Sequence, residues 1–291
     1  LANGISAMNR ELQLQDNDDN NEYDIELFNN VYFFFKIVAN DLPHNFPITV
    51  FWDESKRIRA NGVAFEQCEI IGVLATFYSS QYQSMHAIQK KVIIREFVDK
   101  LPLCDCYNPP DPIIALRIVV DREPNQLEQY MEAIIPFINS LLQTKMEDQL
   151  NYLMTMECTV SLLFSLFKVI YKEAFDTQTY LPFMFSNLPA TVSMEAANIY
   201  YSLVYLCGEY PQKMGPFAVQ VITAIAEVFS LNDKEWKQIS LPEDICRSMA
   251  VLLNNLISSM NQGQQILKEA LANESQFSRF QTRFQTFLAT E

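Results

Sequence analysis

The residues of this chain whose types could support catalysis or metal binding are few. Its only histidines are His44 and His86, and no Walker A loop, G-x-S-x-G elbow or H-E-x-x-H motif accompanies them. Cys104 and Cys106 are spaced like two ligands of a zinc ion, but a structural zinc site needs four, and no second Cys/His pair stands at a suitable spacing. We therefore predict surface or capping roles for both histidines and no metal at the cysteine pair.

Every second position over residues 16–24 holds an acidic or amide side chain that could bind calcium: Asp16, Asp18, Asn20, Glu22 and Asp24. This spacing is the nearest approach to a calcium-binding loop in the chain. Such a loop needs a central glycine and a final bidentate glutamate, but these positions hold Asn21 and Leu27. We interpret residues 1–22 as a partly flexible segment with an acidic loop. The sequence thus predicts no catalytic residues, no cofactor and no metal, and hence a protein that is not an enzyme. An all-α enzyme that uses clustered carboxylates with Mg²⁺ is the alternative from that class.

Composition and charge narrow the class of partner. The chain has 291 residues, of which 49% are hydrophobic, and its net charge is −14, from 35 acidic and 21 basic residues. An acidic field repels phosphate backbones and attracts basic proteins, so we expect a basic protein partner and no direct nucleic-acid binding. The six scattered cysteines favour free thiols in a reducing, intracellular compartment. The apolar runs Val31–Ala39 and Val160–Tyr171 are short and interrupted by Lys36 and Lys168, so we expect no membrane insertion.

Apolar stripes at helical spacing supply the elements of the fold. Only six glycines occur, and most lie between the apolar runs, which predicts an all-α protein. Gly62–Ser80 and Ser84–Leu101 form a predicted helical pair. The second helix of this pair is predicted to bury one face, formed by Ile88, Val92, Ile93 and Phe97. Residues 125–145 predict one long helix, whereas residues 230–240 predict a charged loop.

Weak repetition of these helices indicates a solenoid. Met156-Glu157 and Met194-Glu195 each precede a similar apolar stripe, and a third stripe begins at Ile245. The offsets of roughly forty residues suit HEAT and armadillo repeats, in which each helical pair stacks on the next to cover its apolar face. We therefore predict an α-solenoid, a superhelix of about six or seven HEAT-type helical pairs, in which residues 1–291 are a single repeat segment.

Two helices carry polar stripes of the kind that an inner solenoid surface uses to hold a protein. One stripe lies on the 125–145 helix and the other on a helix over residues 216–230. The predicted protein-binding residues of these stripes are Glu132, Asn139, Gln143, Gln220, Thr223 and Glu227. An ordinary solvated helix face is the alternative for each of them.

The block at residues 188–230 has a recognisable order of features. They are Leu188-Pro189, the step Met194-Glu195-Ala196, aromatic and leucine anchors from Tyr200 to Leu206, a linker from Pro211 to Gly215, and an apolar helix from Val219 to Phe229. In this order the block resembles a late HEAT repeat of the importin-β (karyopherin-β) family of nuclear transport receptors, most of all the importin-4 and importin-5 group. Residues 242–287 are similar to the closing helices of the same receptors.

The resemblance implies a function in nuclear import. It implies that the chain is the C-terminal part of a longer receptor whose concave face holds cargo proteins with basic signals. It also implies release of cargo by the GTPase Ran in its GTP form, docking of FG-repeat nucleoporins between outer helices, and a location in cytoplasm, nucleus and nuclear pore. A HEAT-repeat scaffold or adaptor subunit and an exportin are the alternatives.

Overall fold

The computed structural model describes residues 21–104, 108–143, 150–169, 177–191 and 195–289. Cys106 and residues 1–20 lie outside these ranges, as do the predictions made for the cysteine pair and for most of the acidic segment. Within the ranges given, every regular element is helical, which confirms the predicted all-α fold. The superhelix and its number of helical pairs stay predictions.

The chain divides into two compact units, residues 1–140 and 141–291. The first contains α1 (Asn21–Asp41), α2 (Ile48–Glu54), α3 (Lys56–Asn61), α4 (Ala64–Gln81), α5 (Ala87–Asp99) and α6 (Asp111–Arg122). Helix α7 (Met131–Gln143) contains the division. The second unit contains α8 (Leu150–Val169), α9 (Thr177–Ser186), α10 (Ala196–Glu209), α11 (Pro211–Met214), α12 (Ala218–Ser230), α13 (Asp233–Ile239), α14 (Glu243–Ser259), α15 (Gly263–Ala270) and α16 (Glu274–Ala289). That residues 1–291 form a single repeat segment stays a prediction.

Helix α4 is the central helix of the first unit, because α1, α3, α5 and α6 all pack against it. Its sequence, AFEQCEIIGVLATFYSSQ, is apolar on most sides, as expected for a helix with neighbours all round. Ile70, Ile71 and Leu74 are fully buried there. The position of α4 therefore follows from its lack of a polar face.

A partly buried ion cluster crosses α4 at Gly72. The Nζ atom of Lys36 in α1 lies 3.0 Å from Oε2 of Glu69 in α4 and 3.1 Å from Oδ1 of Asp111 in α6. A Cβ atom at residue 72 would lie 2.1 Å from Asp111 Oδ1 and 2.5 Å from Lys36 Cε, so glycine leaves the space in which this pair meets. Asp111 stands in the first turn of α6, where the helix dipole favours a carboxylate. One charge cluster thus joins α1, α4 and α6.

The helices of the second unit form two rows. Helix α10 packs against both α8 and α14, and α12 packs against α9, α14, α15 and α16. The helices α8, α10 and α14 begin at Leu150, Ala196 and Glu243, so each follows the last by about 46 residues, as in helical-pair repeats. Of the pairs that this spacing suggests, α8 packs against α9 and α14 packs against α16, whereas the main neighbours of α10 are α8 and α14 rather than α12. A regular stack of helical pairs stays a prediction.

Two arginines of α16 close the end of α12. The Nε atom of Arg279 donates to the carbonyl oxygen of Ser230 at 2.7 Å, and Arg283 donates to that of Phe229 at 2.9 Å. These carbonyls end α12, where the helix dipole favours cations. The guanidinium carbon of Arg283 also lies 4.5 Å from the ring centroid of Trp236 in α13. The last helix is therefore held by both charge and ring contacts.

Two of the predicted elements are wrong. Residues 230–240, predicted as a charged loop, are largely helical because Asn232 caps α13. The Asn232 side chain accepts hydrogen bonds from the N–H groups of Lys234 and Glu235. In return, the Glu235 carboxylate accepts a hydrogen bond from the N–H of Asn232. The helix predicted over residues 125–145 begins only at Met131, after two short 3₁₀ turns.

One helix of the second unit contains an apolar stretch longer than the run Val160–Tyr171 from which we expect no membrane insertion. Residues Tyr152–Val169 of α8 form an 18-residue stretch that could cross a membrane by length and hydropathy. In the folded unit 72% of this stretch is buried. Helices α9 and α10 pack against α8, as against the core helix of a folded domain.

Candidate protein-binding surfaces

An apolar groove lies in the first unit between α2, the end of α4 and α5. Its volume of about 340 Å³ falls within the range of about 300–1,000 Å³ that is usual for ligand pockets. Although 19% of the chain is charged, the described residues that line the groove are all uncharged. The apolar residues that form its walls and floor include Ile48, Trp52, Phe77, Met85, Ile88 and Val92.

Trp52 is held in place from behind by a buried arginine. The guanidinium carbon of Arg59 lies 3.6 Å from the centroid of the Trp52 ring, and an Nη atom of Arg59 donates to the Trp52 carbonyl oxygen at 2.7 Å. Arg59 also donates to Ser55 Oγ at 3.2 Å and pairs with Glu96 of α5 at 3.1 Å. Desolvation lowers the pKa of Arg59, although Glu96 opposes this. The aromatic wall of the groove is therefore fixed before any ligand binds.

The floor of the groove is part of the aromatic core of the first unit. Phe77 is buried, and its ring centroid lies 5.4 Å from that of Phe46. Phe46 in turn lies 5.4 Å from Phe51 and 6.4 Å from Phe35. Rings at these distances pack efficiently and resist rearrangement. The floor is thus as rigid as the core beneath it.

The apolar face predicted for the second helix of the first pair is wrong in part. Ile93 and Phe97 are buried in the first unit, as predicted, but Ile88 is 79% exposed and Val92 is 46% exposed. Both exposed side chains border the groove. Helix α5 carries more apolar residues than its neighbours cover, and the excess forms one edge of the groove.

The charged residues near the groove differ between its two sides. On the α5 side, Lys91 is adjacent to Val92 and exposed, and Arg95 follows one turn later. Arg95 makes an exposed ion pair with Asp99 at 3.1 Å. On the α2 side the nearest charge in sequence to Trp52 is Asp53, which is exposed. The α5 edge therefore offers positive charge in a chain whose net charge is −14.

The first predicted polar stripe lies on α7. Glu132 and Gln143 are exposed and Asn139 is half-buried, while Ile134 and Ile138 on the same helix are fully buried. The three polar residues are therefore on the solvent side of an amphipathic helix, as their spacing predicts. Whether they contact a protein stays a prediction.

The second predicted stripe lies on α12, in the row formed by α9, α12 and α16. Gln220 is exposed, and Thr223 and Glu227 are half-buried. Burial raises the pKa of Glu227. A carboxylate that is partly removed from water gains more from a cationic partner than a solvated one does, since the field between them is less screened. Glu227 is therefore the residue of this stripe best suited to hold a positive charge.

Buried carboxylates hold the loop that opens the block at 188–230. Glu157 of α8 accepts a hydrogen bond from the N–H of Thr191 at 2.7 Å. The hydroxyl of Tyr200 in α10 accepts from the N–H of Ala190 at 2.9 Å and donates to its carbonyl oxygen at 3.3 Å. Glu195 accepts from the hydroxyl of Ser161 at 2.6 Å. Glu195 and Tyr200, two residues of the block that carries the family resemblance, are thus held by hydrogen bonds, Glu195 to Ser161 of α8 and Tyr200 to the backbone of Ala190.

Thiols and histidines form no metal centre in the part of the chain that is described. No three His, Cys, Asp or Glu side chains there are grouped closely enough to hold a metal ion. His44 and His86 are exposed. Cys104 and Cys68 contact each other in the first unit, and burial raises the pKa of the Cys104 thiol, so this thiol stays protonated at neutral pH.

Sequence reasoning missed the groove for two reasons. Residues 47–59 gave no assignable pattern, so Trp52 was not placed on a helix. The available signal was in α5, where Ile88 and Val92 together with Ile93, Ile94, Phe97 and Val98 make an apolar surface too wide for one buried stripe.

No model of a known protein family, no curated protein and no solved structure matches this chain. The likeness of residues 188–230 to importin-β receptors therefore rests on those residues alone.

Proposed function

We propose that this chain is a protein-binding helical scaffold of the nuclear transport receptor type, which holds basic cargo proteins on the row formed by α9, α12 and α16. The observation that supports the proposal is the packing of the second unit into two rows of helices, α8 with α10 and α14, and α9 with α12 and α16. Stacked pairs present an extended surface made from one helix of each pair, and such surfaces serve to hold other proteins.

The charge of the cargo follows from the charge of the chain. A net charge of −14 raises the local concentration of cationic partners. On α12, Gln220 and Thr223 offer hydrogen-bonding groups and Glu227 offers a partly desolvated carboxylate. A lysine or arginine of the cargo would pair with Glu227 while the two polar residues accept or donate hydrogen bonds beside it.

The resemblance of residues 188–230 to importin-β receptors supplies the rest of the proposal. The further partners are Ran in its GTP form, which releases the cargo, and FG-repeat nucleoporins, which carry the receptor through the nuclear pore between cytoplasm and nucleus. Glu132, Asn139 and Gln143 on α7 are proposed as additional cargo contacts.

Titration of the chain with a fluorescent peptide rich in lysine and arginine tests cargo binding. We expect saturable binding that weakens with added salt, since exposed charges are screened. Glu227→Gln should weaken binding about three- to tenfold, because one partly buried charge pair is lost without a change of shape.

Glu209→Gln is the matched control, because it removes the same charge from the exposed end of α10, in the other row. It should leave the affinity unchanged. Equal effects of the two variants would mean that the peptide responds only to net charge, and would contradict a cargo site on α12. For the receptor assignment, GTP-locked Ran should release bound cargo from the full-length protein, whereas a static scaffold would keep it.

A further inference from the structure

We propose that the groove between α2 and α5 binds an amphipathic α-helix of a partner protein, one whose apolar face is bordered by acidic residues. This site is separate from the cargo row proposed above: its lining residues belong to the first unit, and it attracts the opposite charge.

The apolar character of the groove defines half of the ligand. Ile88 and Val92 leave large apolar surfaces in water, and covering them with an apolar ligand stabilises a complex in proportion to the area removed from water. Trp52 adds a rigid aromatic wall, held by Arg59 and ready to pack against an apolar side chain. Fixed aromatic residues beside a pocket are typical of the residues that dominate binding energy.

The shape of the groove defines the backbone of the ligand. The α5 edge presents Ile88 and Val92, one helical turn apart, and Met85 lies in the bend that precedes α5. A helix laid beside this edge presents apolar side chains at i, i+3, i+4 and i+7 to match them. It also satisfies its own backbone hydrogen bonds, whereas an extended peptide would leave N–H and C=O groups unpaired against an apolar wall.

The charges beside the groove define the flanks of the ligand. Lys91 is exposed next to Val92 and makes no ion pair with a described residue, whereas Arg95, one turn further along α5, is already paired with the exposed Asp99. Lys91 is therefore the cation that the α5-facing flank of the ligand would meet. Carboxylates on that flank complement Lys91, while lysines there would be repelled. Asp53 on the opposite side favours a neutral or basic residue on the other flank.

Two matched peptides test the proposal on the intact chain. Each is an alanine-based helix of about 18 residues with leucines at i, i+3, i+4 and i+7. One carries glutamates on one flank of the leucine face and the other carries lysines at the same positions. Changes in anisotropy of a dye on the peptide report binding, and sedimentation velocity at the same concentrations reports the oligomeric state of the chain.

We expect the glutamate peptide to bind at least tenfold more tightly than the lysine peptide, despite the negative net charge of the protein. Ile88→Ser should weaken its binding at least tenfold, and Lys91→Glu should reverse the preference between the peptides. Both side chains are exposed, so the fold tolerates the changes. Val251→Ser and Lys234→Glu alter exposed residues of the second unit and should change nothing.

The proposal is overturned if the two peptides bind equally, if the lysine peptide binds better, or if Ile88→Ser binds as the unaltered chain does. It is also overturned if the chain alone forms dimers that Ile88→Ser dissociates, because the groove would then be covered by a second copy. Failure of this site would leave the cargo proposal standing, since Glu227→Gln tests a different surface and a basic ligand.

Discussion

In the first unit, partly buried charges pair with opposite charges, whereas in the second unit two buried carboxylates accept hydrogen bonds from a backbone N–H and a serine hydroxyl. Lys36 pairs with both Glu69 and Asp111 across Gly72. In the second unit, Glu157 accepts from a backbone N–H and Glu195 accepts from a serine hydroxyl. Separating an ion pair of the first unit leaves a charge without its opposite charge. Removing a hydrogen-bond partner in the second unit leaves a polar group without one of its hydrogen bonds.

The same contrast appears at the surfaces. The first unit exposes an apolar groove with cations along its α5 edge, and the buried pair of Arg59 and Glu96 holds the wall of that groove. The second unit arranges its helices in two rows and has a carboxylate, Glu227, on the polar face of α12. We infer from the difference that the two units bind partners of opposite charge.

The largest effect is expected where the ion cluster of the first unit is forced apart. Gly72→Val places carbon atoms in the space where Lys36 and Asp111 meet, so the pair must separate inside the protein. We expect a loss of about 3–5 kcal/mol in the free energy of unfolding, measured with urea. Gly208→Val is the control, because a Cβ at residue 208 meets nothing within 4 Å; it should cost less than about 1 kcal/mol. Similar losses for the two variants would contradict the role of Gly72.

The charge cluster should also make the first unit respond to pH. Burial raises the pKa of Asp111 from 3.8 to about 6, although Lys36 opposes the rise and Glu69 adds to it. Because the pKa is higher in the folded state, ionised Asp111 costs stability above pH 6, and this cost disappears as the pH falls through 6 toward 4.

Asp111→Asn cannot titrate, so the stability advantage of the natural residue over asparagine should grow by about 2–3 kcal/mol between pH 7 and pH 4. Urea unfolding of both proteins across this range measures the difference. A difference that stays constant, or shrinks toward pH 4, would show that Asp111 is not held in a desolvated cluster.

A smaller effect is expected in the second unit. Tyr200→Phe removes the hydroxyl that holds both the N–H and the carbonyl of Ala190, at a site that is fully buried. We expect a loss of about 1–2 kcal/mol in the free energy of unfolding. Tyr201→Phe changes an exposed neighbour and should be neutral. If Tyr200→Phe cost as much as Gly72→Val, the contrast between the two units would fail.

The sequence predicted the helices better than it predicted what lies between them. The stripes of α8, α10 and α14 follow the helical period, and their recurrence was visible because stacked pairs repeat their apolar positions. Helix α13 was missed, although Asn232 and Glu235 have the spacing of a capping box, because its charged residues resembled a loop.

The surfaces were less predictable for a physical reason. A polar stripe such as Gln220, Thr223 and Glu227 can be located from the sequence of one helix. The helical period alone shows that the three side chains share one face of that helix. The groove depends on which of the apolar residues of α5 its neighbours leave uncovered, and on Arg59 reaching Trp52 and Glu96 on two other helices. Likewise, the need for Gly72 arises only when α1 and α6 meet across α4. Contacts between distant parts of the chain decide these features.

The most direct test of the two-surface account is a titration of the intact chain with the basic peptide in the presence of saturating acidic amphipathic helix. The account predicts that both bind together with unchanged affinities, that Glu227→Gln weakens only the basic peptide, and that Ile88→Ser weakens only the helix. Displacement of one ligand by the other, or loss of both ligands in either variant, would contradict it.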